Sequence, residues 1–176
     1  EHTYEEFLAA LAEFQQQRFS NLVIDLRDNT GGYLEAAVQM ANEFLPKDRL
    51  IVYTQGRRSQ RQDYKSDGRG SYQDFPLVVL INEISASASE IFAGAMQDND
   101  RGTIIGRRSY GKGLVQQQIA FADGSMIRLT VARYYTPSGR CIQKPYAKGD
   151  TKDYQQDIIN RYENGEFFSK DSIKHE

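Results

Sequence analysis

The sequence predicts an α/β domain with a largely parallel sheet. Three observations carry this reading. The short apolar runs "NLVIDL" (21–26), "PLVVLI" (76–81) and "TIIG" (103–106) have the length of buried strands. Amphipathic segments of helical period stand between them. The loops that leave the runs are rich in Gly, Ser, Asn and Asp, as turns from strand to helix require.

Taken in order, Thr3-Tyr4-Glu5-Glu6 fits the capping pattern T-x-x-E, and Tyr4, Phe7, Leu8, Leu11 and Phe14 continue it at helical spacing. After the strand 21–26 and the turn-rich Arg27–Gly32 comes a second helix. Leu34, Ala37, Val38, Ala41, Phe44 and Leu45 mark its apolar face, and Pro46 closes it. Leu50–Thr54 reads as a strand. The polar, basic stretch 55–74 reads as a hairpin or excursion with its turn at Ser66-Asp67-Gly68. The strongest strand signal, 76–81, leads into "SASASEIFAGAM" (85–96), a helix ending near residues 97–102. Leu114–Phe121 and Met126–Tyr135 flank Ala122-Asp123-Gly124-Ser125 and read as a hairpin. In its second arm Ile127, Leu129 and Val131 alternate with Arg128, Thr130 and Ala132. From Lys144 the chain is charged and tyrosine-rich, a peripheral tail whose segment 152–165 reads as one helix ending at Gly165.

The totals exclude several classes. A length of 176 residues suits one domain, and 39% hydrophobic with 26% charged residues is a globular composition. A net charge of −2 gives no electrostatic case for a nucleic-acid backbone. No apolar run approaches the roughly 18–20 residues of a membrane helix, and no signal peptide is visible. The opening "EHTYEEFLAAL" reads as the interior of a longer protein. With one cysteine, Cys141, no internal disulfide is possible. The two histidines, His2 and His175, stand near the ends. That argues against a Ser-His-Asp triad, a Cys-His pair and a histidine-rich zinc site, so neither a metal nor another cofactor is expected.

Three stretches could carry chemistry. In the first, Ser87-Ala88-Ser89-Glu90 matches S-x-x-E, so Ser87 reads as an ordinary helix cap. The same position, on a tight turn from strand to helix, also exposes a hydroxyl above the sheet edge beside the unpaired N–H groups of the first turn, starting with Ala88. The second, "GRRSYGKG" (106–113), approaches the phosphate-loop pattern through Gly106, Gly111 and Lys112. It fails at Gly113, where Ser or Thr should stand, and it leads into a hairpin rather than a helix. The third, "IDLRDNTGG" (24–32), ends a strand in a loop where Gly31 or Gly32 could turn an N–H toward a neighbouring site. Its plain reading is an ordinary turn. All sit at the carboxyl ends of predicted strands, where open α/β sheets place ligands.

A nucleophilic Ser87 needs a base, and without a usable histidine the candidates are Lys, Asp or Glu. Lysine acts only when neutral; moving from about 10.4 to roughly 7–8 costs about 4 kcal/mol, which desolvation can supply. Lys112, between two glycines, is expected to fold back into an apolar pocket. Gln116, uncharged and four residues on, could orient the amine without trapping it as ammonium.

Together "LVIDLRDNTGG", "SASASEIFAGAMQDNDRG", "GRRSYGKGLVQQ" and "RYYTPSGRCIQ" resemble the carboxyl-terminal processing peptidases, or tail-specific proteases, in order from about residue 4 to 143. The resemblance implies a ClpP/crotonase-like α/β core and a serine endopeptidase with a Ser-Lys pair. By motif, Ser87, the middle serine, is the nucleophile, Lys112 the general base and Gln116 its orienting residue. The backbone of Ala88 and Gly32 forms the oxyanion hole. The implied substrates are polypeptides with flexible C-termini, and the implied location is a bacterial cell envelope. The family's PDZ domain has no room between these motifs, and the strands that open its core are absent. Residues 1–143 therefore read as the catalytic core without its N-terminal part, and 144–176 as a charged C-terminal extension. "QKPYAKG" after Ile142 departs from the commoner continuation. A fragment of this kind is expected to be weakly active or inactive alone. The competing readings are a non-catalytic peptide-binding or scaffold module of the same fold, and a crotonase-type enzyme acting on thioesters.

Overall fold

The computed structural model describes residues 2–146 and 151–169. Helix α1 (Thr3–Gln16) has His2 as its N-cap, without a side-chain cap bond, and the His2 carbonyl accepts the Glu6 N–H at 3.0 Å. Thr3 is thus already inside the first turn, and the expected T-x-x-E cap does not form. The further elements are β1 (Leu22–Asp25), α2 (Leu34–Asn42), β2 (Leu50–Gln55), β3 (Gln62–Lys65), β4 (Leu77–Ile81), α3 (Ala88–Asp98), β5 (Thr103–Gly106), β6 (Leu114–Ala120), β7 (Met126–Tyr135) and α4 (Thr151–Glu163).

The strands fall into two sheets of different character. β1, β4 and β5 pair in parallel, in the order β1-β4-β5, with Ile24 opposite Val79 and Leu80 opposite Ile105. The other four form an antiparallel sheet in the order β3-β2-β7-β6. The expectation of one largely parallel sheet is therefore corrected: among the described residues, parallel pairing covers three strands of seven. The cause lies in the polar stretch 55–74. It folds straight back as β3 on β2, with its turn near Gly56–Ser59 rather than at Ser66-Asp67-Gly68. β2 is thereby drawn out of the parallel sheet and pairs with β7, Tyr53 opposite Tyr135. Ser66 instead anchors the chain after β3, its hydroxyl hydrogen-bonded to the Pro46 carbonyl.

α3 is the central element. Ser89 through Met96 are all buried, and the helix packs on α2, β2 and β5, so it touches both sheets. Phe44, Leu45, Ile51, Val52, Val79, Phe92 and Met96 are all but inaccessible around it. α2 stops at Asn42, short of Pro46, yet Phe44 and Leu45 remain buried in the turn that follows. Two compact units divide at Gln143 and Lys144. In the second, the expected tail helix is α4, followed by Gly165 at φ +78°, and Arg161 pairs with Glu166 at 2.9 Å with both side chains buried. His175 lies outside the described residues.

Arg101, just past α3, donates from Nε to the Phe44 carbonyl and from Nη2 to the Tyr72 and Phe75 carbonyls, each at 2.7 Å. It ties α3 to the two loops that carry the aromatic core. Arg101→Ala would leave three carbonyls without their charged donor and is expected to destabilise the fold by about 3 kcal/mol. Urea unfolding followed by circular dichroism would read this; an unchanged midpoint would remove Arg101 from the account of the core.

Candidate active site

The loops leaving β1, β4 and β5 meet at the carboxyl ends of the parallel strands, the edge where open sheets bind ligands. Hydrogen bonds stitch them together. The Ser85 hydroxyl, fully buried, donates to the Leu26 carbonyl at 2.7 Å and accepts the Asn82 N–H at 2.9 Å. Ala86 N–H reaches the Asn29 carbonyl at 3.0 Å, and the Ser89 hydroxyl reaches Asn29 Oδ1 at 3.0 Å. Tyr110 N–H, from the loop after β5, donates to the Ser85 carbonyl at 2.9 Å.

This network separates the three serines. Ser85 and Ser89 are buried and their hydroxyls are engaged by the β1 loop. Ser87 is half-buried and stands at the N-cap of α3 with φ +57° and ψ −114°. A non-glycine residue rarely adopts such a backbone, and holding it there costs on the order of 1–3 kcal/mol. Ser87 also forms a capping-box pair with Glu90, its N–H donating to Glu90 Oε2 at 2.8 Å. The Glu90 N–H has the Ser87 carbonyl at 2.9 Å, so the helix start does not depend on the Ser87 hydroxyl. The plain and the functional readings of this position coexist.

Glu90 does more than cap. Its carboxylate is buried, 6% exposed, and accepts four hydrogen bonds. Oε2 takes the N–H groups of Ser87 at 2.8 Å and Lys112 at 2.9 Å. Oε1 takes the Ser109 hydroxyl and the Gly111 N–H, each at 2.6 Å. One oxygen therefore holds the backbone of both Ser87 and Lys112, and their amides can lie no further apart than those two bonds reach. The sequence marks Glu90 as a capping residue; its bonds to residues 109–112 had no local signal.

The glycine loop lies against the same turn. Gly31, at φ +84°, approaches so closely that a Cβ there would sit 2.4 Å from the Ala86 carbonyl oxygen and 2.6 Å from the Ala88 nitrogen. Any side chain is excluded. Gly31 N–H is engaged by Asn29 Oδ1 at 2.9 Å, whereas the N–H groups of Gly32 and Ala88 have no hydrogen-bond partner among the described residues. Of the two glycines, Gly32 keeps its N–H without a partner among the described residues.

Asp25 and Glu90 are poor candidates for the base. Hydrogen bonds from the Arg27 side chain and amide hold the Asp25 carboxyl down at about 2, too weak a base to take a serine proton near neutrality. Glu90 has its acceptor capacity filled. Lys112, the expected base, has a side chain that departs from expectation. It is exposed, and among the described residues its amine makes no hydrogen bond or ion pair. Gln116 faces Thr130 in the β6–β7 register, is exposed, and makes no side-chain bond to Lys112. The expected apolar pocket is not formed by the described residues: Lys112 sits in a glycine turn at the foot of a hairpin whose arms are largely exposed, and no element packs over it. A cleft of about 710 Å³ opens nearby, lined by Asp25, Arg27, Asn82, Gly106 and Arg107 among others, but neither Ser87 nor Lys112 borders it.

Compared with known proteins, the chain matches the model of Peptidase family S41 over residues 1–155. It is 42% identical over 143 residues to the carboxyl-terminal-processing protease of Synechocystis sp., covering 81% of this chain and 33% of that protein. It is 38% identical over 144 residues to the carboxy-terminal processing protease CtpB of Bacillus subtilis, covering 82% of this chain and 30% of that one. Among solved structures, the photosystem II D1 C-terminal processing protease superposes with a TM-score of 0.75 at 39% identity, over 81% of this chain and 36% of that one. The chain belongs to peptidase family S41. It spans about a third of the length of these curated relatives.

Two outcomes test this geometry. The strain at position 87 belongs to a Cβ at positive φ, so Ser87→Gly is expected to be more stable than Ser87→Ala by about 1 kcal/mol, although both lack the hydroxyl. Equal unfolding midpoints would deny the strain. Glu90→Gln must present an NH₂ to at least one of four donors and is expected to lose about 2 kcal/mol of stability in the same measurement.

Proposed function

We propose that this chain is the catalytic part of a serine endopeptidase with a Ser-Lys pair, cutting polypeptides near flexible C-termini through an acyl-enzyme. The observation that carries the reading is the shared Glu90 oxygen, which brings the Ser87 and Lys112 segments together on one side of the molecule. Ser87 Oγ attacks the scissile carbonyl while the neutral Lys112 amine takes its proton. The negative charge that develops on the substrate oxygen is met by the N–H groups of Gly32 and Ala88, each good donor worth about 3 kcal/mol in the transition state. Collapse breaks the C–N bond, and the departing amine takes the proton held by Lys112. The Lys112 amine then takes a proton from water as the water attacks the ester, and returns it to Ser87 Oγ as the acyl C–O bond breaks. Because Lys112 is exposed in this chain, its desolvation is assigned to the bound substrate and to whatever else covers the glycine turn. Gln116, four residues along the chain, is assigned to orient the amine in that covered state.

The carboxyl-terminal processing relatives supply the substrate class in this reading. The same exposure of Lys112 favours the second reading, a peptide-gripping module that performs no chemistry. A fluorophosphonate probe at mildly alkaline pH separates them. Ser87 is expected to be labelled and Ser87→Ala not, while Lys112→Ala slows labelling by about 100-fold or more. Unmodified Ser87 would leave the binding module standing. Ser87→Ala is expected to keep its fold, losing at most about 1 kcal/mol of capping.

A further inference from the structure

β6 is the outer strand of the antiparallel sheet, and its far edge pairs with no other strand among the described residues. Sheet edges are ordinarily blunted by charge or proline. This one is not: the segment 114–121, "LVQQQIAF", holds no charged residue and no proline, in a chain that is 26% charged. Its one irregularity is the register shift between Val115 and Gln116. Residues 116–120 are exposed. The hairpin closes with the Phe121 N–H donating to the Ser125 carbonyl at 2.8 Å, and antiparallel alternation then turns the amides of Gln118 and Ala120 away from β7, to the open edge. One face beside that edge is apolar: Ile119 stands opposite Ile127, next to Phe121 and Leu129, and these four are 42–50% exposed. The strand begins two residues after Lys112, whose own amide is fixed to Glu90.

We propose that the outer edge of β6 is the docking strand for the polypeptide substrate. The substrate adds as an extended strand, bonded through its main chain to the outward amides and carbonyls around Gln118 and Ala120, with alternate apolar side chains over Ile119 and Ile127. This rests on the peptidase reading above and names where its substrate binds. Main-chain pairing tolerates many sequences, and the apolar pockets select every second residue. Continuity with the Lys112 turn is what selects a substrate over a second copy of this chain. A strand laid along β6 runs on to the candidate base and covers its exposed amine, which edge-to-edge pairing of two copies has no reason to do.

The test uses the chain carrying Ser87→Ala, so that nothing is cut, and a fluorescein-labelled decapeptide of alternating valine and threonine read by anisotropy. Gln118→Pro removes an outward N–H without touching the bonds to β7, which edge strands tolerate. Gln118→Pro is expected to weaken binding by about fivefold or more, and Gln118→Ala, which keeps the N–H, by less than about twofold. The same peptide N-methylated at alternate residues, so that its pairing edge is blocked, is expected not to bind, a result independent of any variant's folding. Equal binding by the two Gln118 variants, binding of the N-methylated peptide, or no binding at all overturns the proposal. So does a dimer in sedimentation that Gln118→Pro abolishes while the peptide fails to bind; that outcome assigns the edge to a second copy. Phosphonate labelling of Ser87 in the unsubstituted chain keeps the two failures apart: labelling without edge binding sinks the docking strand alone, and edge binding without labelling sinks the peptidase reading alone.

Discussion

The arrangement depends on one carboxylate. Glu90 lies at the start of a helix buried along its length, where an isolated charge would be costly. Four donors offset that cost, and the N-terminal end of the helix dipole favours the same sign of charge. The consequence is topological. The donors come from the turn after β4 and from the loop after β5, so the carboxylate makes two strand ends into one body. α3 cannot shift to break that body without opening the core around Phe92 and Met96. Backbone precision at Ser87 is therefore inherited from packing well below the surface.

That precision stops at the backbone on the lysine side. Lys112 N–H is held as firmly as Ser87 N–H, but the four methylenes and the amine beyond it lie in water. The two halves of the proposed pair are thus in different states of preparation. The nucleophile turn carries its strain already, at φ +57°, in a network that over-determines it. In the proposed mechanism the base is the neutral amine, the form that exclusion of solvent favours. On the proposed mechanism, hydrolysis is thereby linked to occupancy of the surface beside the glycine turn.

The sequence made the elements and the convergence of three loops legible, because strand length, helical period and turn chemistry are local signals. What it left open was long-range. The alternation of Ile127, Leu129 and Val131 announces a hairpin, but nothing in "LIVYT" says that β2 will leave the parallel sheet to place Tyr53 on Tyr135, since that pairing joins segments far apart in the chain. The choice among Ser85, Ser87 and Ser89 was equally closed to spacing, because what separates them is the Leu26 carbonyl and the Asn29 side chain, donated by another strand's loop. Thr3 failed as a cap for a smaller reason: the helix began one residue earlier than its pattern. The pocket expected around Lys112 was an inference from required chemistry rather than from pattern, and the hairpin beside it is largely exposed.

The two sheets divide the labour in a way that follows from their pairing. A parallel sheet brings several loops to one end, which suits the assembly of a nucleophile, an oxyanion loop and a clamp from three strands. It offers no convenient free arm, because its strands are joined by crossovers. An antiparallel hairpin does offer one, long and exposed on an edge, and here it grows directly out of the loop that Glu90 holds. α3 touches both sheets, packing on β5 of the parallel one and on β2 of the antiparallel one. A change confined to the hairpin would leave Ser87, Glu90 and Gly32 in place and alter only how a chain approaches them. If β6 is the docking strand proposed above, selectivity can vary along it without disturbing the groups proposed to break the bond.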